Sequence, residues 1–234
     1  MDVAAQEKAR LESDFREAVA GGDLEVHYQP LINLESGLTE GYEALLRWCH
    51  ATRGLVSPEV FIPLAEEMGL IEQIDQFVLR SACGEAATWP DTIKLAVNVS
   101  PLQFRNGNLL GAVVQSLAAS GLAPERLELE ITEAVLLEKS PRTLAIINEL
   151  RSFGIGLSMD DFGTGFSSLR YLLSYPFTKI KIDKSFVLSL GETGNSRAVI
   201  RAVISLGKSL GMAINAEGIE REDVRDYLRA EGCT

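Results

Sequence analysis

Ser158-Met159-Asp160-Asp161-Phe162-Gly163-Thr164-Gly165 decides how the rest of the chain is read. An apolar run, Gly156 to Met159, ends in two adjacent carboxylates, and a glycine-bearing loop follows at once. That order describes a buried strand delivering charge to the mouth of a fold. Two carboxylates this close repel by roughly 1 kcal/mol in water and by far more once desolvated. Something positive must hold both ionised, and a divalent cation is the economical candidate.

Working outward, the same sequence of events recurs. Residues 4–20 form a helix closed by Gly21-Gly22, and Leu24–Tyr28 a short strand stopped at Gln29-Pro30. Leu38–Trp48 is a second strand, joined by too short a link for a crossover and therefore antiparallel to the first. From there strand and helix alternate, with strands at Ile93–Val99, Leu127–Ile131, Gly156–Asp160, Thr178–Ile182 and Met212–Ala216. Helices are expected over 58–68, 71–88, 109–119, 141–153, 167–173, 196–210 and 221–230, several closed by glycine. Seven strands of this kind, most followed by a helix, predict an α/β fold, a TIM-like (β/α)8 barrel with an antiparallel first strand. The period calls for an eighth strand after Gly232, so the final strand is expected to be missing from this chain. Residues 1–22 read as an N-terminal connector helix and 23–234 as one barrel domain, truncated at its C-terminus.

Composition narrows the chemistry. The 234 residues are 46% hydrophobic and carry a net charge of −11. That balance argues against a grip on a nucleic-acid polymer, which needs basic patches. No apolar run reaches the roughly 18 residues of a membrane span, and no export signal is visible, so this segment is expected to be cytoplasmic and without membrane contact. Cys49, Cys83 and Cys233 show neither metal nor redox spacing. His27 and His50 are lone and read as structural.

A polar group stands at the same phase of nearly every βα unit: Asn98, Glu130, Asp160 with Asp161, Lys181 and Glu217, with Glu43 inside the second strand. A barrel places such groups at one rim. Taken singly, Glu128 and Glu130 could be the exposed face of an edge strand, Lys179 and Lys181 a solvated stripe, and Asp161 a cap. The joint pattern outweighs those readings. Glu43, Asn98, Glu130, Asp160, Asp161 and Glu217 are all hard oxygen donors, which select Mg2+, Mn2+ or Ca2+. Six donors suit two ions, the arrangement that clamps both oxygens of an in-line phosphoryl displacement. Lys181 adds a point charge for water or phosphate, and Arg47 a fork for phosphate.

Glu43-Ala44-Leu45-Leu46-Arg47-Trp48 resembles the signature of the EAL domain, the cyclic di-GMP phosphodiesterases. Tyr28-Gln29-Pro30, Phe61-Ile62-Pro63-Leu64-Ala65-Glu66, Asn98-Val99-Ser100, Glu130-Ile131-Thr132-Glu133, the run 160–168, Lys181-Ile182-Asp183-Lys184-Ser185-Phe186 and Ala216-Glu217-Gly218-Ile219-Glu220 extend the likeness from Leu11 to Cys233. The resemblance implies hydrolysis of cyclic di-GMP to linear pGpG with Mg2+ or Mn2+, two ions being expected. It implies metal ligation by the six oxygen donors, a catalytic set of Glu43, Asp160, Lys181 and Glu217, and substrate contacts from Gln29, Arg47 and Asp183. Glu133 would anchor the loop 162–168. A homodimer, and an upstream sensor or GGDEF domain in a parent protein that can be membrane-anchored, are implied too. The family continues past Gly232-Cys233 into a strand carrying a Gln near the site, so an impaired chain that only binds the nucleotide is the alternative. An unrelated metal-dependent barrel of the enolase type is disfavoured by the short first hairpin.

Overall fold

The structure is a computed structural model that describes residues 3–106, 108–137, 140–163, 169–190 and 194–234. Helix α1 (Val3–Gly21) leads into β1 (Leu24–Ile32), which turns back as β2 (Thr39–His50), and β2 ends in a hairpin with β3 (Gly54–Val56). Then come α2 (Pro58–Glu67), α3 (Ile71–Ala86), β4 (Lys94–Val99), α4 (Pro101–Asn106), α5 (Leu109–Ser120), β5 (Leu127–Thr132), α6 (Glu133–Leu137), α7 (Pro141–Ser152) and β6 (Gly156–Phe162). The chain closes with α8 (Leu169–Ser174), β7 (Lys179–Ile182), α9 (Lys184–Leu188), α10 (Gly194–Ser209), β8 (Ala213–Ala216) and α11 (Glu222–Glu231).

The strands make one curled sheet in the order β1-β2-β4-β5-β6-β7-β8, with β3 on β2. β1 pairs antiparallel to β2, and every pairing from β2–β4 to β7–β8 is parallel. The fold is thus the α/β, TIM-like architecture with an antiparallel first strand. Among the described residues β1 and β8 share no ladder, and the Thr234 amide donates to the Ile214 carbonyl beside β8.

The alternation Leu127-Glu128-Leu129-Glu130-Ile131 shows how the sequence builds the two faces. Leu127, Leu129 and Ile131 are buried in the apolar layer between sheet and helices, each burial worth about 1.5–3 kcal/mol. The glutamates point the other way, into the barrel, where they are buried too. Glu128 accepts from Lys179 at 2.6 Å. Its room is provided by Gly156 next door, where a Cβ would lie 3.3 Å from the Glu128 Cβ. The interior is therefore polar and the core proper lies outside the sheet. Helix α1 joins that core through Phe15, which stacks edge-on against Trp48 at 4.9 Å between centroids and lies 5.6 Å from Phe61.

Several expectations shift. β1 does not stop at Gln29-Pro30 but runs to Ile32. It is an outer strand of the sheet, and a proline lacking its N–H is tolerated there. There are eight strands among the described residues, not seven, because three residues at Gly54–Val56 pair with β2. The short helices α4, α6 and α9 follow strands directly; at five or six residues they are too brief to show a helical period. α8 starts at Leu169, and the residues from Thr164 to Ser168 fall outside the described ones.

Gly41 pairs with Lys94 across the β2–β4 ladder, and a Cβ there would stand 2.8 Å from the Lys94 carbonyl oxygen. Backbone cannot give way cheaply. Gly41→Ala is expected to cost about 1–3 kcal/mol, read as a fall in melting temperature of roughly 2–4 °C per kcal/mol for a domain of this size. An unchanged melting temperature would show that the ladder relaxes freely.

Candidate active site

The parallel strands end at one rim, and the side chains named from the sequence meet there. Lys181, on β7, is 1% exposed. Its Nζ lies 2.7 Å from Glu130, 2.6 Å from Glu217, 3.3 Å from Asp160 and 3.4 Å from Glu43. Asn98 donates from Nδ2 to the Glu43 carboxylate at 2.8 Å. Glu43, Asn98, Glu130, Asp160, Lys181 and Glu217 thus converge from β2, β4, β5, β6, β7 and the end of β8. The reading of Glu130 as an exposed edge and of Lys181 as a solvated stripe is overturned, because both point into the barrel.

Asp161 reaches the rim by a backbone device. Met159 pairs with Ile180 and Phe162 with Ile182, so Asp160 and Asp161 together oppose Lys181. This is a β-bulge, one extra residue that re-aims its neighbours. Strict alternation would send Asp161 into the helix layer; instead Phe162 takes that place, buried. Asp161 has φ of 55°, the one positive value outside glycine among the described residues, a conformation aspartate tolerates. Its own amide donates to Asp160 Oδ1 at 3.0 Å.

The electrostatics follow from crowding. Burial works against the Lys181 charge, but Glu130 first, then Glu43, Asp160 and Glu217 outweigh it and hold the ammonium well above its ordinary range. One ammonium does not neutralise four carboxylates. Desolvation lifts the Glu130 carboxyl well above the usual value, opposed by Lys181 and reinforced by Glu43 and Asp160. Glu217 and Asp161 are raised as well, each chiefly by burial. Further positive charge would relieve all of them. Among the described residues no trio of carboxylates, His or Cys is already spread as a metal cage; Lys181 sits where they meet. The donor set nonetheless fits a hard cation, since Glu130 Oε1 is buried without a hydrogen-bond partner among the described residues, an arrangement that is costly unless something binds there.

A cavity of about 550 Å³ opens beside the ring where Glu43 and Glu217 stand, lined also by Gln29, Leu45, Lys184 and Arg225 among others. Gln29 sits directly across the ladder from Glu43. Arg47 lies on the same face of β2 as Glu43 and donates to the Leu46 carbonyl. Asp183 caps α9, its carboxylate accepting from the Ser185 amide at 3.0 Å. Glu133 opens α6 and is buried, while most of the loop it was expected to anchor lies outside the described residues. The sequence reading did not single out Lys184 or Arg225 as cavity-lining cations. It also gave no role to Asn215, which lines the cavity from β8 in register with Lys181. His50 is structural as expected: its Nδ1 accepts from the Thr52 and Arg53 amides, and Nε2 faces Asp14 at 3.1 Å. Among the described residues no helix is long and apolar enough to cross a membrane.

The family model described as EAL domain matches residues 12–234. An uncharacterized signaling protein of Caulobacter vibrioides is 48% identical over all of this chain and 29% of its own length. The bifunctional diguanylate cyclase/cyclic di-GMP phosphodiesterase MucR of Pseudomonas aeruginosa is 40% identical, over all of this chain and 35% of its length. The chain therefore spans about a third of these curated relatives. A solved structure titled PaMucR Phosphodiesterase, c-di-GMP complex, superimposes with a TM-score of 0.92 at 40% identity, covering 96% of this chain and 93% of that one.

Proposed function

The chain belongs to the EAL domain family, and we propose that it is a metal-dependent phosphodiesterase that opens one phosphodiester of cyclic di-GMP to give linear pGpG. The observation that carries this reading is the ring of four carboxylates around buried Lys181, two of which, Glu43 and Glu217, line a cavity of about 550 Å³. Glu43, Asn98, Glu130, Asp160, Asp161 and Glu217 are the residues that would hold Mg2+ or Mn2+, two ions in number. When bound, such ions polarise the phosphate and make water a nucleophile near neutral pH.

The chain's own residues do the rest. Lys181, fixed as an ammonium, orients water or a phosphate oxygen. Arg47 offers a planar fork to a phosphate, and Gln29, beside Glu43, an amide to the substrate. Asp183 is assigned to substrate contact as well, from the end of β7. Lys184 gives the mouth local positive charge, while Arg225 is already bridged to Asp226 at 3.0 Å; a protein of net charge −11 needs such charge in order to attract a dianionic dinucleotide. Hydrolysis forms a P–O bond to water and breaks the bond to one ribose oxygen, which leaves with a proton. Residues 1–22 would connect the domain to an upstream sensor or GGDEF domain, and a homodimer is the proposed assembly.

The test is direct. Incubation with cyclic di-GMP and Mn2+ or Mg2+ is expected to yield pGpG, and chelation with EDTA to stop it. Tight binding without pGpG at any enzyme concentration would replace the enzyme with a nucleotide receptor.

A further inference from the structure

Behind the rim, on the side facing the helices, one carboxylate takes no part in the ring. Asp75 lies on α3 between the apolar positions Ile74 and Val78. Its Oδ2 accepts the Ser100 hydroxyl at 2.6 Å, and the Gln103 side chain lies beside the same carboxylate. Gln103 is itself 5% exposed, and its amide N–H donates to the Ser100 carbonyl at 3.2 Å. Ser100 stands two residues beyond Asn98, whose side-chain amide donates to Glu43. Pro101 begins the next helix and lacks an N–H, so the backbone alone supplies less to hold this turn.

We propose that Asp75 is a positioning residue: through Ser100 and Gln103 it fixes the turn after β4 and so holds the Asn98 amide against Glu43. The proposal rests on the reading of Asn98 as a metal ligand. Three hydrogen bonds then run from a helix, through one turn, to two oxygen donors that arrive from different strands. Ligand amides and carboxylates work only when aimed to within about half an ångström. Asn98 is exposed at the rim, so its side chain is aimed by the strand and turn that carry it and by its bond to Glu43. Removing Asp75 leaves the Ser100 hydroxyl without its acceptor, and the turn is free to drift.

The charge of Asp75 is secondary to its oxygen. Burial pushes its carboxyl up to about 7, with Glu66 and Glu72 adding to the rise and the Ser100 hydroxyl and neighbouring Gln103 side chain opposing it. An uncharged acceptor of the same shape should therefore serve. Gln103 Oε1, buried without a partner among the described residues, could take the N–H that an asparagine brings.

The experiment measures Mn2+ affinity of the whole chain by calorimetry, with melting temperature and the Asn98 side-chain amide NMR signal as companions. Asp75→Ala and Ser100→Ala are each expected to weaken Mn2+ binding by about 10- to 100-fold, to shift the Asn98 signal, and to combine non-additively. Asp75→Asn is expected to stay within roughly threefold of the parent, half a tenfold step or less in free energy. Ser100→Ala removes one hydroxyl and keeps the proposal testable if Asp75→Ala does not fold. Unchanged Mn2+ affinity in Ser100→Ala, alongside weakened binding in Asn98→Ala, overturns the positioning role alone. Unchanged affinity in Asn98→Ala removes the ligand reading and the proposal with it.

Discussion

Replacing Lys181 by methionine is expected to destabilise the metal-free protein by about 3–5 kcal/mol, the usual cost of stranding buried charge. With Nζ gone, four carboxylates that now lie 2.6–3.4 Å from it face each other with no counter-charge. Glu130 is the most exposed to the change energetically, since its side chain is fully buried. The melting temperature in EDTA should fall by roughly 6–20 °C, taking 2–4 °C per kcal/mol. A divalent ion at about 100 times its Kd returns about 2.7 kcal/mol, so Mn2+ should raise the variant's melting temperature more than the parent's. Turnover should drop by roughly 10²–10³, the effect of deleting one preorganised charge. Equal melting of variant and parent in EDTA would mean that the carboxylates disperse once the lysine is gone.

Glu130→Gln should do the reverse to stability while damaging function at least as much. The amide is isosteric, Lys181 keeps three other carboxylate partners, and one of the crowded negative charges disappears. The metal-free variant is expected to melt at or above the parent's temperature. The pH dependence gives the sign independently. The folded Glu130 carboxyl lies well above its ordinary value of 4.5, with burial the main cause. The folded state therefore binds more protons than the unfolded chain between those two values, so the parent loses stability as pH rises across that interval. Glu130→Gln should flatten that slope. Metal binding needs the deprotonated carboxylate, so Mn2+ affinity and pGpG formation should fall together, by roughly 10³ or more if the ligand is lost outright. Wild-type turnover in this variant would remove Glu130 from the ligand set.

Much of this was legible because strands carry a period of two. Leu127-Glu128-Leu129-Glu130-Ile131 announces two faces, and the repetition of a polar residue at successive strand ends announces one rim. What a single strand cannot show is which face looks into a barrel. Glu128 with Lys179, and Lys181 among its acids, therefore read equally well as solvated until the sheet curls. Pro30 misled for a similar reason: whether a strand survives a proline depends on which neighbours it has. The helices of five or six residues after β4, β5 and β7 left no periodic trace. Asp75 did leave one, a carboxylate set in the apolar stripe of Ile71, Ile74 and Val78, but its partner Ser100 is distant in sequence.

The extra residue at Asp160–Asp161 carries a consequence for variation in this stretch. Deleting either aspartate would restore plain alternation, yet a single acid would then remain opposite Lys181. Inserting a residue would drag Phe162 out of its buried seat and turn a polar group toward the helices. Length here is as constrained as identity, so natural change in this part of the chain should come as exchanges of one side chain for another and not as gaps.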